Sequence, residues 1–295
     1  MEKAIYHLLD VFTNQRFGGN QLAVFPDARN VPEDQMQEIA RELNLSETVF
    51  ILPKTRLGGH QMRIFTPATE LPTAGHPTIG TAFLLGRDIT PDLSDRATLL
   101  LDQKIGLIEV EIAYKNQVPI KATMRQPLPK FGAVYDVRKM FTDLLSLNET
   151  SLLDHPIQEI ACGVPYILIP LNSLEAVKNI KFRLDLWEQM KDKVNGAFIY
   201  AFTPSGEQEA SNLHGRMFAP EGGILEDPAT GSANGPLGCY VTHYDILKGP
   251  FVSEQGFEMG RPSIIHIDIQ QSGDHITAVH VGGESVFVGQ GELYL

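Results

Sequence analysis

Four side chains in this sequence could move a proton or grip an anion: Glu47, His76, Asp227 and Ser232. They lie in short, distinctive segments: Ser46-Glu47-Thr48, Ala74-Gly75-His76-Pro77 and Glu226-Asp227-Pro228-Ala229-Thr230-Gly231-Ser232, with Gly19-Asn20 as a fourth segment of interest. Glu47 runs directly into the apolar stretch Val49, Phe50, Ile51 and Leu52. A carboxylate at the mouth of such a strand is partly desolvated, which favours its protonated form and suits it to proton transfer near neutral pH. Taken singly, the segments also have structural explanations. A Glu between Ser and Thr is commonly solvated. His76 before Pro77, Asp227 before Pro228 and Ser232 itself suit helix caps or turns, and Gly19-Asn20 reads as a turn.

What moves the balance is a duplication. Residues 63–81 read RIFTPATELPTAGHPTIGT, and residues 216–233 read RMFAPEGGILEDPATGSA. Arg63 and Arg216 are 153 positions apart, Gly75 and Gly231 are 156 apart, so the second copy holds three extra residues. Each copy leads from an apolar strand through a Pro-containing turn to Gly and one polar residue, His76 or Ser232, and then to small and apolar residues. The period is far too long for a solenoid. It predicts two similar half-domains, each offering a helix start with unpaired N–H groups and a positive dipole end. If the halves face each other, Glu47, His76, Asp227 and Ser232 converge with Gly75 and Gly231 on one pocket for an anionic ligand.

The positioning elements are readable from pattern. Strands are expected at 4–12, 21–25, 48–53, 62–66, 97–101 and 106–113. A helix is expected over 32–43, with Pro32 at its first position, and a second over 77–85, apolar on every side and therefore buried. The proline-bearing stretch 118–132 reads as a linker between half-domains 1–117 and 130–284. The second half predicts helical material at 136–153, strands at 162–171 and 196–204, a helix at 184–193, a second buried helix from Ser232 and three strands at 263–270, 275–281 and 285–294, the pattern leaving the last open to either half.

Composition sets outer limits. The 43% hydrophobic and 20% charged shares fit a globular chain, and the net charge of −12 argues against a nucleic-acid surface. Every apolar stretch is interrupted before about 18 residues, so no membrane span is expected. The start lacks the pattern of a signal peptide. Only Cys162 and Cys239 are present, which excludes a disulfide scaffold and suits a reducing cytoplasm. The nine histidines form no H-x-x-x-H or H-E-x-x-H pair, so no metal site is expected, and neither nucleotide-binding glycine fingerprint occurs.

Across essentially its whole length the sequence resembles the PhzF-like family of isomerases, on the diaminopimelate-epimerase fold. The resemblance is carried by DVFTNQRFGGNQLAVF, ARELNLSETVFIL, FTPATELPTAGHPTIGTAFLL and GRMFAPEGGILEDPATGSANGPLG. It implies an α+β fold of two pseudo-symmetric domains, each a mostly antiparallel or mixed sheet curled around a central buried helix, with the active site between them. It further implies a cofactor-free homodimer. The family's catalytic glutamate, histidine, aspartate and serine match Glu47, His76, Asp227 and Ser232. Asn20, Ser46, Gly75, Thr230 and Gly231 are expected to hold the substrate. Epimerases of this fold use two cysteines, one before the glycine of each helix start. Here those positions hold Ala74 and Thr230, neither a base near neutral pH. Cys239 and Cys162 read as structural. The expected reaction is proton-shuttle isomerisation of a small anionic, cyclic or aromatic-like substrate. A cofactor-independent amino-acid racemase or epimerase, or a non-catalytic binding protein, are the alternatives.

Overall fold

The computed structural model describes residues 2–92, 95–194 and 196–295. The architecture is mixed α+β and dominated by strands, with 17 strands and six α-helices among the described residues. The chain divides into two compact units, Met1–Arg125 with Gly282–Leu295, and Gln126–Val281.

The first unit contains β1 (Lys3–Val11), β2 (Asn20–Phe25), α1 (Met36–Leu43), β3 (Glu47–Lys54), β4 (His60–Phe65), β5 (Glu70–Leu71), α2 (Gly75–Gly86), β6 (Arg96–Gln103), β7 (Gly106–Lys115) and β8 (Val118–Gln126, whose last residue falls to the second unit). β1 and β2 pair antiparallel, β2 and β3 parallel, β3 and β4 antiparallel, β4 and β6 parallel, and β6 and β7 antiparallel. α2 is the central element, because almost every residue it presents is small or apolar and almost all are buried. Its Gly80 is required by close approach: a Cβ there would meet Leu22 Cδ2 at 2.6 Å and Val11 Cγ2 at 2.7 Å. α1 covers the other face of the sheet, burying Met36, Ile39 and Ala40 against Phe25, Phe50 and Phe65. The rings of Phe25 and Phe50 stack with centroids 4.8 Å apart.

The second unit contains β9 (Lys130–Tyr135), α3 (Arg138–Leu145), β10 (Ile157–Ala161), β11 (Pro165–Pro170), α4 (Leu174–Lys178), α5 (Leu184–Met190), β12 (Phe198–Thr203), β13 (Leu213–Ala219), β14 (Ile224–Asp227), α6 (Gly231–His243), β15 (Phe251–Gln255) and β16 (Ser263–Ser272). The order and sense of pairing repeat those of the first unit. β10 and β11 pair antiparallel, β11 and β12 parallel, β12 and β13 antiparallel, β13 and β15 parallel, and β15 and β16 antiparallel. α6 takes the place of α2 and is likewise buried along most of its length. The outer face of this sheet is covered by α3, α4 and α5, centred on Trp187, Phe141 and Val177.

Several elements differ from the sequence reading. The first helix starts at Met36, because Pro32, Glu33 and Asp34 are spent on the turn in which Gln35 N–H donates to the Pro32 carbonyl. The proline-bearing stretch 118–132 holds the division between the units, at 125/126, but it is regular structure: it forms β8, paired with β7 and with β17 (His275–Tyr294), and then leads into β9, paired with β10. Asn20 lies in β2, opposite Val11, and not in a turn. The two final strands are one, β17 (His275–Tyr294). Its last ten residues pair with β1, from Val11 opposite Ser285 to Lys3 opposite Tyr294.

Candidate active site

The duplicated signature becomes a duplicated structure. In β4, Arg63 Nε and Nη2 donate to the two carboxylate oxygens of Glu70 at 2.8 and 3.0 Å. In β13, Arg216 makes the same fork to Glu226 at 2.7 and 2.8 Å. Each guanidinium also lies over a phenylalanine two residues on, Phe65 or Phe218, at 5.1 and 5.3 Å. These pairs lock the strand that leads into each helix start, and the three extra residues of the second copy fall between Arg216 and Glu226.

The common register shows which position in one unit answers to which in the other. Arg63 pairs with Phe50 and Arg216 with Ala201, so three residues back along the strand Glu47 answers to Phe198. The parallel ladders agree, with Leu22 opposite Glu47 and Tyr166 opposite Phe198. By the same count Asp227 answers to Leu71, since Met217 pairs with Asp227 and Ile64 with Leu71. Neither Glu47 nor Asp227 therefore has an ionisable counterpart in the other unit.

In the first unit, Glu47 opens β3 and His76 is the second residue of α2. His76 Nε2 comes within 3.3 Å of Glu47 Oε2, with the two side chains only 3% and 12% exposed. On the other edge of the ring, Asn20 Nδ2 lies 3.1 Å from His76 Nδ1. With the amide nitrogen donating to Nδ1, the imidazole proton sits on Nε2, the nitrogen that faces Glu47. Burial pushes the His76 pKa down to about 3, against the pull of a backbone hydrogen bond with Gln21. The ring is therefore neutral at pH 7, and its 3.3 Å contact with Glu47 is not an ion pair. Ser46 is half-buried in the bend just before β3. Gly75 starts α2, two residues before Pro77, whose missing N–H costs nothing in a first turn. Asn20, Glu47 and His76 are thus brought together, with Ser46 and Gly75 next to them in the chain.

In the second unit, Asp227 ends β14 and is 4% exposed. Thr230 Oγ1 donates to Asp227 Oδ2 at 2.5 Å. Gly231 starts α6, and Ser232 Oγ lies 2.7 Å from the hydroxyl of Tyr166 on β11. Neither helix is capped by the side chain of its N-cap residue, Ala74 in α2 or Thr230 in α6.

Three participants escaped the sequence reading. Tyr166 is one. The others are Gln103 and Gln255, each the last residue of the strand that follows its helix. Their one signal was the recurrence of acid-glutamine, Asp102-Gln103 and Glu254-Gln255, at matching places. Cys162 and Cys239 are buried, with their sulfurs 4.0 Å apart, in a small apolar cluster with Val279. This contact with Cys162, and burial, push the Cys239 thiol up, out of reach of ionisation at neutral pH.

A further polar cluster is centred on His214. Glu207, His214 and Glu258 place ligand-type atoms within 4.8 Å of one another. His214 is held by Glu254 through Nδ1 and by Glu258 through Nε2, both at 2.9 Å. Burial alone would push its pKa down, but the two carboxylates outweigh it and raise it to about 9. A protonated imidazole between carboxylates accounts for the cluster as an ion-pair network, with Lys178 closing on Glu207 at 3.0 Å.

The sequence pattern of the family described as phenazine biosynthesis-like protein matches residues 9–291. The chain belongs to this PhzF family of isomerases. The PhzF-family chain is 35% identical over 292 residues to the trans-2,3-dihydro-3-hydroxyanthranilate isomerase of Pseudomonas fluorescens, covering 98% of this chain and 99% of that one. Among solved structures, a PhzF-family phenazine biosynthesis protein of Bacillus anthracis superposes with a TM-score of 0.89 at 24% identity, each chain covered completely. A hydroxyproline epimerase of Agrobacterium vitis superposes at 0.67 with 12% identity, over 99% of this chain and 92% of that one, which shows a shared fold. No helix among the described residues is long and apolar enough to cross a membrane.

Proposed function

We propose that this PhzF-family isomerase moves a proton along the π-system of a small, cyclic, carboxylate-bearing substrate, with Glu47 as the single acid and base. Glu47 takes a proton from a carbon made acidic by a neighbouring double bond or carbonyl, and returns it elsewhere on the same system. The neutral His76 faces the Glu47 carboxylate and orients it. Asn20 fixes the ring of His76, and Ser46 contributes beside the base. Asp227 and Ser232 act on polar groups of the same substrate molecule, and its carboxylate takes backbone N–H groups near Gly75, Thr230 and Gly231. The reaction uses no resident cofactor, and we assign the active form to two copies of the chain.

The observation that carries this reading is the asymmetry of the repeat. Racemases that work with two bases need one on each face of the carbon. Here Glu47 is answered by Phe198, and the residues before the two helix-start glycines, Ala74 and Thr230, cannot serve as bases. One base and one neutral imidazole suit transfer within a π-system better than inversion of a stereocentre.

The relatives named for trans-2,3-dihydro-3-hydroxyanthranilate supply the first compound to assay, followed by related cyclic amino acids. Incubation in D₂O should give deuterium at a carbon where a double bond has shifted. Deuterium at a stereocentre with every double bond in place would instead establish the epimerase, and binding of these acids with no exchange at all would establish a binding protein.

A further inference from the structure

We propose that Gln255, and in the other copy Gln103, is a positioning residue that fixes where a threonine hydroxyl at the helix start sends its proton. The two glutamines occupy one register position. His60 pairs with Leu101 on β6 and Leu213 pairs with Ser253 on β15, and two residues further along each strand stand Gln103 and Gln255. Both are buried, at 5% and 0% exposure.

The hydrogen bonds of Gln255 leave little freedom. Nε2 donates to the Asp227 carbonyl at 2.8 Å and to Thr230 Oγ1 at 2.9 Å, while Oε1 accepts from the Thr230 backbone N–H at 3.1 Å. A primary amide has two N–H donors, and both are in use. Thr230 Oγ1 is thereby made an acceptor, so its one proton is left for Asp227 Oδ2, 2.5 Å away. Gln103 does the same in the first unit. Its Nε2 donates to Thr78 Oγ1 at 2.7 Å, its Oε1 accepts from Thr73 Oγ1 at 2.7 Å, and Thr78 Oγ1 donates to the Ala74 carbonyl at 2.6 Å. The N-cap carbonyl of α6 is held in a matching way, by Asn234 Nδ2 at 2.9 Å, three residues after Gly231 as Thr78 is three after Gly75.

The device is thus duplicated and its output differs. In the first copy the directed hydroxyl ends on a backbone carbonyl and braces the helix. In the second it ends on a carboxylate, Asp227, which the proposed function places among the groups that meet the substrate; the functional meaning of Gln255 rests on that reading. The other ionisable groups near this corner are Glu254 and Glu258, both held by His214, and Tyr200, whose hydroxyl meets Gln255 Oε1 at 3.4 Å. Burial pushes its phenol up, so it stays protonated and brings no charge. Glu226, next along the chain, is already occupied by Arg216.

The test is a titration of Asp227 by NMR in protein carrying ¹³C at aspartate carboxyls, with the resonance identified by its loss in Asp227→Asn. Thr230→Val removes the directed hydroxyl and keeps the shape of the side chain. It should move the Asp227 midpoint to higher pH by about one unit, because a donor to the charged form has gone. Thr230→Ser should restore the wild-type midpoint. Gln255→Met, which frees the hydroxyl to rotate, should shift it in the same direction as Thr230→Val. A Thr230→Val midpoint equal to wild type, in protein with an unchanged circular dichroism spectrum, overturns the proposal even if Gln255→Met fails to fold. No substrate enters the titration. The place of Asp227 in the reaction is decided separately, by turnover of Asp227→Asn: full activity there would remove Asp227 from the site and leave the relay standing.

Discussion

His76 Nε2 stands 3.3 Å from Glu47 Oε2, and burial keeps the imidazole neutral beside the carboxylate. A charged ring would have made a buried ion pair with Glu47; the neutral ring makes none. Glu47→Gln keeps the shape and the hydrogen-bonding edge but cannot accept a proton. Its turnover on the confirmed substrate should fall by at least about a hundredfold. Glu47→Asp, which withdraws the carboxyl by one methylene, should retain more activity than the glutamine variant. Near-wild-type rates for Glu47→Gln would sink the single-base reading.

The same burial has a consequence for stability in acid. The folded pKa of His76, about 3, lies below its ordinary value of 6.5. Unfolded chains therefore take up a proton that the folded protein refuses, and stability falls as pH drops from 6.5 toward 3 by up to about 1.4 kcal/mol per pH unit from this group. Urea midpoints measured at pH 7 and pH 5 should differ more in wild type than in His76→Gln. Equal differences would show that the ring takes its proton in the fold.

His214 should act with the opposite sign. Its folded pKa is raised from 6.5 to about 9 by Glu254 and Glu258, so the stability it supplies is complete below pH 6.5 and is lost as pH rises through 9. The shift corresponds to roughly 3 kcal/mol. Wild type should lose stability between pH 7 and pH 9.5, and His214→Gln, less stable at pH 7, should lose less over that interval. A parallel decline in the two proteins would contradict the protonated state.

The two arginine forks are unequal in their surroundings. Arg216 is the more buried and also donates to the Val177 and Ile180 carbonyls at 3.2 and 3.0 Å, whereas the partner of Arg63, Glu70, has a second cation in Lys104 at 2.7 Å. Arg216→Met leaves Glu226 without its partner and takes a donor from two carbonyls, and should cost about 3–5 kcal/mol. Arg63→Met leaves Glu70 with Lys104 and should cost about 1–2 kcal/mol. Chemical denaturation of the two variants checks the order as well as the sizes.

The sequence made the repeated framework visible because repetition of Arg, Gly and Pro at matching places is a pattern that survives without coordinates. Strands β2, β3 and β4 and the all-apolar helix α2 were legible for the same kind of reason: runs such as Thr48–Leu52 and Thr78–Leu84 admit few other placements. The stretch 118–132 does hold the division between the units, but its strands were missed because prolines were read as breaks, whereas Pro119 sits inside β8 opposite Tyr114. Asn20, His76 and Glu47 were singled out as residues, but their order, amide to ring to carboxylate, needed distances. Gln103 and Gln255 left only the faint recurrence of an acid-glutamine pair, since a single glutamine has no spacing rule and its worth here comes from what the ladder sets beside it.

The crossings between the two units occur at 125/126, within β8, and at 281/282, within β17. Synthesis on the ribosome therefore finishes the units out of order. Every residue of the second unit has emerged while β1 still lacks the neighbour that residues 285–294 will provide. The sheet that carries Glu47 can close only once residues 285–294 are available to β1, so a chain stalled or clipped before them would keep an intact second unit and an open first one.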